Sequence, residues 1–207
     1  MTKIIWRELG RELDYQNTIM FMEQIVDGVI NHVMPEQVLI LEHCDTYTAG
    51  SMFQNINLEQ KIEIIQTNRG GGITYHGPGQ LVIYPILDLA KRSMDIRMYI
   101  MSLCGVVINF CRHFGINAFY DDMLAGVWVM APGQIRKKIA SIGIRVQKWV
   151  TYHGIAVNIS TDLSKFAAIN PCGLNATQIT SLEALGISND SKLMNQILKT
   201  EFYKIFI

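Results

Sequence analysis

The sequence predicts an α+β fold: one domain over residues 1–207, built as a mixed β-sheet flanked by helices that are segregated against it. Three observations predict it. Two long stripes of apolar residues recur at helical spacing, several short β-rich runs crowd the second half, and no Pro/Ser/Gly linker or internal repeat divides the 207 residues. With 49% hydrophobic and only 17% charged residues, the chain has ample material for a core, which excludes disorder, a collagen-like fibre and a coiled coil.

The elements follow in order. Ile19, Met22, Ile25, Val26, Val29, Ile30 and Val33 recur at intervals of three and four, and Pro35 follows, so an amphipathic helix with a stop is expected. Gln37 to Glu42 and the Ile62–Ile65 region are short apolar runs bounded by polar or glycine-rich punctuation and are assigned as strands, as is Leu81 to Ile86. A second helical stripe runs through Ile96, Tyr99, Ile100, Leu103, Val106, Val107, Phe110 and Phe114 and ends at Gly115. Gly126–Met130, Ile139–Val146 and Val150–Ile159 are β-rich and separated by Ala131–Gln134 and Gln147–Trp149, spacings that suit hairpins. Leu182–Leu185 and Leu193–Ile205 close the chain as helices.

Charge and cysteine usage narrow the function. Eighteen basic and eighteen acidic residues cancel, so no global field favours nucleic acid or a membrane surface. No stretch approaches 18 uninterrupted apolar residues, and Arg7, Glu8, Arg11, Glu12 and Asp14 leave no apolar leader after Met1, so a cytoplasmic location is expected. Cys44, Cys104, Cys111 and Cys172 form no CxxC pair and are expected as free thiols; with five histidines they make no zinc spacing, and no metal is expected.

Three segments carry candidate chemistry. Arg69-Gly70-Gly71-Gly72-Ile73-Thr74-Tyr75-His76-Gly77-Pro78-Gly79-Gln80 holds five glycines in twelve residues and brings backbone close to a ligand. It lacks the Gly-Lys-Ser/Thr ending of a phosphate loop and the G-x-G-x-x-G order of a dinucleotide site. A tight surface turn is the bland alternative, against which Arg69, Tyr75 and His76 argue. Asn170-Pro171-Cys172-Gly173 sets a cysteine in a rigid, irregular loop, whereas Cys104 and Cys111, seven residues apart on the long helix, fit a buried structural role. Lys138 opens the run Lys138–Arg145, ordinarily the place of a solvated edge charge; the strand after it carries Tyr152-His153-Gly154, a second copy of the triplet Tyr75-His76-Gly77. Isolated histidines such as His76 and His153 are more often structural groups than catalysts.

These residues resemble the octanoyl-[acyl-carrier-protein]:protein octanoyltransferases, the lipoate-protein ligase B family. The resemblance runs in order through Leu39–His43, Arg69–Asp88, Gly126–Val129, Lys138–Arg145, Thr151–Asn158 and Asn170–Leu174, about two thirds of the chain, and Lys138 stands 34 residues before Cys172 as the family's lysine and cysteine do. It implies a fold shared with biotin and lipoate ligases and no cofactor. It implies that octanoyl passes from octanoyl-acyl carrier protein to Cys172 as a thioester, then to a lysine on a lipoyl domain of the 2-oxoacid dehydrogenases or on the glycine cleavage H protein. By the same resemblance Cys172 is the nucleophile and Lys138 the lysine that lowers its pKa and relays the proton. The resemblance also implies that Arg69, Gly70, Gly71, Gly72, Ile73, Thr74, Tyr75 and His76, with Ser141, Ile142, Gly143, Gly154, Ile155 and Ala156, line the acyl site. The sequence departs from the pattern at Cys44 and Asp45, where prolines are common, and at Gly72.

Thioester-to-amide transfer runs downhill without ATP, in keeping with the missing phosphate loop. An ATP-dependent lipoate ligase of the same fold, a cysteine thioesterase using Cys172 with His76 or His153, and a non-catalytic carrier-binding module are the alternatives. Two further expectations concern substrates. Ala140, Ile142 and Ile144 with Ile155 and Val157 are expected to wall the acyl slot, with Gly143 and Gly154 leaving room, unless that alternation simply faces the core. Lys91, Arg92, Arg97, Arg136 and Lys137 are the candidates for docking an acidic carrier protein, unless they are ordinary solvated charges.

Overall fold

The computed structural model describes residues 4–53, 62–92, 94–121, 124–169 and 176–207. In chain order these form β1 (Ile5–Leu13), α1 (Tyr15–Ile30), β2 (Gln37–His43), β3 (Thr46–Ala49), β4 (Ile64–Gln66), β5 (Ile73–His76) and β6 (Gln80–Ile86). There follow α2 (Ile96–Arg112), β7 (Ala118–Tyr120), β8 (Gly126–Ala131), β9 (Ile135–Gln147), β10 (Val150–Asn158) and α3 (Ser191–Phe206), with short 3-10 turns between. Seven strands make one mixed sheet in the order β1-β2-β6-β10-β9-β8-β7, in which only β1 and β2 run parallel, and β4-β3-β5 form a small second sheet.

Helices lie on both faces of the large sheet. Val38, Ile40, Leu81, Ile83, Ile155 and Val157 pack under α2 and α3, whereas the intervening Leu39, Leu41, Val82, Tyr84 and Ala156 pack under α1. Period-two alternation sends neighbours to opposite faces, and both faces are covered, so β2 and β6 read in the sequence as unbroken apolar runs. The expected segregation of helices thus becomes a sandwich of helix, sheet and helix. Each long helix begins on an aspartate whose carboxylate accepts a backbone N–H three residues on: Asp14 for α1, Asp95 for α2 and Asp190 for α3.

Four strands escape the sequence reading. β1 carries its charges as the adjacent pairs Arg7-Glu8 and Arg11-Glu12, which breaks any period of two, and lies at the sheet edge where its parallel partner β2 supplies the pairing. β3, β5 and β7 span three or four residues, too few to show a period. The expected helix at Leu182–Leu185 is a single 3-10 turn, Glu183–Leu185. Among the described residues no helix is long and apolar enough to cross a membrane.

Candidate active site

A narrow pocket of about 60 Å³ lies on the α1 face of the large sheet, where β9 and β10 meet the glycine-rich segment before β5. Its floor follows from register. Ser141 pairs with Ala156 and Gly143 with Gly154 across β9 and β10, so four small residues share one face and leave space above the sheet. Val82 and Tyr84 of β6 extend that floor. Opposite stand Arg69, Gly71, Gly72, Ile73, Thr74 and His76.

The glycine run is tied on both sides. Gly70 N–H donates to the Ile144 carbonyl at 2.9 Å, joining the run to β9. The carbonyls of Arg69, Gly71 and Gly72 accept N–H groups from Ser51, Met52 and Gly50. Arg69 is buried; its guanidinium donates to the Thr48 carbonyl and Thr48 Oγ1, each at 2.8 Å, and to the Gly70 carbonyl at 3.0 Å. A planar cation with that many fixed acceptors braces the run against β3.

Lys138 lines the end of the pocket near Ala125 and Ile179, and it is no solvated edge charge, being only 6% exposed. Its Nζ donates to the Ala125 carbonyl at 3.1 Å and sits 5.0 Å from the centre of the Trp128 ring, a cation–π contact. Trp128 is itself fixed by its indole N–H, which donates to the Leu124 carbonyl. Ile179 bridges Lys138, and Thr180 N–H donates to the Lys138 carbonyl, so the segment downstream of Cys172 runs beside the lysine. Cys172 and the rest of Asn170–Leu174 lie outside the described residues.

Beneath the pocket is a buried group of imidazoles and phenols. His43 Nδ1 faces the Leu13 carbonyl, which makes that nitrogen the donor and leaves Nε2 to accept the Tyr84 hydroxyl at 2.9 Å. His76 Nδ1 meets Gln80 Oε1 at 2.7 Å, and the Gln80 amide N–H donates to the Tyr75 carbonyl and to Asn158 Oδ1, so His76 Nδ1 carries the hydrogen. His153 Nε2 donates to Asn68 Oδ1 at 2.8 Å, since the Asn68 amide N–H is directed to the Tyr152 hydroxyl. Burial lowers all three imidazoles: His43 to about 4, His153 to about 3, and His76 well below its ordinary range. They are neutral hydrogen-bonding groups at pH 7.

A protein-family model described as the lipoyl protein ligase A/B catalytic domain matches residues 14–202. This chain belongs to that family. It is 48% identical over 94% of its length to an octanoyltransferase of Rickettsia bellii and equally identical over 94% to one of Rickettsia prowazekii, covering 95% of each. Among solved structures, a lipoate-protein ligase A bound with ATP superimposes with a TM-score of 0.69 at 18% identity, covering 99% of this chain and 85% of that one. A biotin ligase from Helicobacter pylori bound with biotinylated ATP superimposes with a TM-score of 0.56 at 11% identity, covering 99% and 76%. The shared biotin and lipoate ligase fold is therefore the fold observed.

Within this lipoyl ligase A/B domain most of the residues chosen from sequence converge on one pocket: Arg69, Gly71 to Thr74, His76, Lys138, Ser141 to Gly143 and Gly154 to Ala156. Gly70 and Tyr75 do not line it; Gly70 is occupied with β9, and the Tyr75 hydroxyl turns away to Asp45 Oδ1 at 2.5 Å. The expected slot wall also needs correction. Ala140 and Val157 are fully buried on the opposite face, in the core under α2 and α3, with Ile142, Ile144 and Ile155 packed there beside them. Ala140, Ile144 and Val157 therefore belong to the core alone, Ile142 and Ile155 pack in the core while also lining the pocket, and the complementary set of small residues forms the floor. Gly143 and Gly154 both line the pocket and also permit close backbone approach: a Cβ on Gly143 would lie 2.7 Å from the Gly70 carbonyl oxygen, and one on Gly154 2.0 Å from that of Ile83. Sequence reasoning missed Val82, Tyr84, Ala125 and Ile179 as lining, and left His153 without a role. The repeated Tyr-His-Gly triplet was the signal for His153; the others carried none.

Of the basic candidates for docking a carrier protein, Arg92 clamps Glu36, with Nη1 at 2.6 Å from Oε1, and Lys91 pairs with Asp88. Arg136 pairs with Asp121 and lies over Phe119 and Trp128. These charges are matched within the chain. The departures at Cys44 and Asp45 are absorbed locally: the Cys44 thiol donates to the Glu12 carbonyl, and Asp45 receives Tyr75 and Lys165. Cys104 and Cys111 are fully buried free thiols, pushed up to about 12 by burial, which fits the structural role expected of them.

Proposed function

We propose that the chain, working as one catalytic domain in the cytoplasm, transfers octanoyl from octanoyl-acyl carrier protein to a lysine of a lipoyl domain, with Cys172 as the intermediate carrier. The acceptors in this reading are the lipoyl domains of 2-oxoacid dehydrogenases and the glycine cleavage H protein. The single observation that carries the proposal is 48% identity to octanoyltransferases over 94% of the chain. The pocket supports it: a buried ammonium stands at one end of a narrow groove floored by small residues.

In the first step the Cys172 thiolate attacks the thioester carbonyl, a C–S bond forms, and the carrier's thiol leaves with the proton that Cys172 gave up. In the second the acceptor amine attacks the new thioester, the amide forms, and the proton from the amine restores the Cys172 thiol. Lys138 stabilises the thiolate and relays the proton in both steps. The glycine run and Ser141–Gly143 with Gly154–Ala156 hold the acyl group; no cofactor or metal takes part in this reading.

The test is intact-protein mass spectrometry after mixing the chain with octanoyl-acyl carrier protein and no nucleotide. One octanoyl group in place of one hydrogen, absent in Cys172→Ala and discharged by a lipoyl domain, is the expected result. Acyl transfer that persists in Cys172→Ala overturns the carrier role, and transfer that occurs only with ATP favours a lipoate ligase.

A further inference from the structure

We propose that the His153 ring ends the acyl pocket and so sets the longest chain that this protein carries; the proposal rests on the octanoyl-transfer reading above. The pocket runs along β10 from the Lys138 end, beside Ala156, toward His153, which pairs with Ile144. Three residues of strand span roughly 10 Å at ~3.3 Å each. Eight carbons in an extended chain need about the same, since each single bond of about 1.5 Å advances a zigzag by roughly 1.3 Å.

Beyond His153 the molecule is not solid. The same side chain lines a second cavity of about 420 Å³ between α1 and the segment Ile65–Asn68, bordered by Tyr15, Gln16, Ile19, Glu23 and Thr67. One imidazole therefore separates the pocket from a larger space. The rest of the lining comes from the sheet itself and from the glycine run braced by Arg69.

The ring is held for that position at some expense. His153 has φ of +54°, a backbone conformation that residues with a Cβ avoid. Nε2 is tied to Asn68, the ring stacks on Tyr152 at 5.2 Å, and it meets the Tyr84 ring edge-on at 6.0 Å. Nδ1 has no hydrogen-bond partner among the described residues although His153 is 1% exposed. Because burial keeps the imidazole neutral, it can face the end of an apolar chain without presenting a charge to it.

The experiment measures kcat/KM for octanoyl- and dodecanoyl-acyl carrier protein with a lipoyl domain as acceptor. The variants are His153→Asn, a shorter residue that tolerates positive φ, and His153→Ala. Joining the two cavities should raise the ratio of dodecanoyl to octanoyl transfer about tenfold or more, given what each buried methylene contributes. Adding Ile19→Phe to His153→Asn, which fills the outer cavity, should bring the ratio back toward the wild-type value. If neither His153 variant folds, Asn68→Ala carries the test: it keeps the ring but releases it, and the ratio should rise severalfold. An unchanged ratio in any active, folded variant overturns the partition. A wild-type chain that moves no octanoyl group overturns the reading on which it rests.

Discussion

Tyr75-His76-Gly77 and Tyr152-His153-Gly154 are the same three residues placed in different surroundings. In the first copy the tyrosine leaves the pocket, packs among Tyr47 and Phe166, and donates to Asp45; the histidine enters the pocket and donates to Gln80. In the second the tyrosine packs under α1 and accepts from Asn68, while the histidine takes positive φ and stands between two cavities. The glycines differ as well. A Cβ on Gly77 would lie 1.9 Å from the hydroxyl of its own neighbour Tyr75, whereas one on Gly154 would strike the Ile83 carbonyl of the adjacent strand. The first glycine accommodates a side chain and the second accommodates a sheet. Identical local sequence acquires its role from the element that packs against it.

The largest effect expected from this pair of sites is a pH dependence that both histidines share with His43. All three have folded pKa values below the unfolded value near 6.5, so the unfolded chain takes up protons first as pH falls. Stability is full above about pH 6.5 and is lost below it, toward the folded values of about 4 for His43 and about 3 for His153. Each imidazole contributes ~1 kcal/mol on going from pH 6.5 to pH 5.5, where the unfolded ring passes from half to almost fully protonated, and ~1.4 kcal/mol over the next unit, so the three together contribute ~3 kcal/mol over the first unit and up to ~4 kcal/mol over the second. Urea denaturation across that range checks the prediction, and His76→Gln or His153→Gln should each reduce the slope by one proton. A flat profile would mean that the imidazoles are solvated in the fold.

Next in size is Gly154→Ala. The carbonyl it strikes belongs to the sheet and cannot rotate away, so a loss of about 3 kcal/mol or more is expected, a fall in thermal midpoint of roughly 6–12 °C for a chain of this size. Gly77→Ala should cost less, because the Tyr75 hydroxyl and Asp45 carboxylate can separate; a loss equal to that of Gly154→Ala would break the contrast between the two sites. The smallest effect is Tyr75→Phe, which removes one hydrogen bond to a carboxylate that still has Lys165 beside it. About 1 kcal/mol is expected, with octanoyl transfer retained. A large loss of transfer would mean that Tyr75 acts on the pocket after all.

The sequence by itself determined what depends on local chemistry and on period. The two long helical stripes, the hairpins of β8 to β10 and their turns, and the glycine run were all legible, because each is written in neighbouring residues. Lys138 and most of the glycine run, which the family resemblance named rather than the local pattern, line one pocket. Tertiary structure alone decided which face of β9 and β10 is the floor. Both faces of that sheet are buried, so Ala140–Ile144 alternates small and large residues with nothing in the sequence to say which side meets a helix. It decided that β1, whose adjacent charged pairs break any period of two, is a strand at all, since its pairing comes from β2, some thirty residues away. It also decided that Tyr84 and His153 share a wall, because the strands that carry them meet only through long-range pairing in the sheet, and a sequence records spacing along the chain, not distance across a fold.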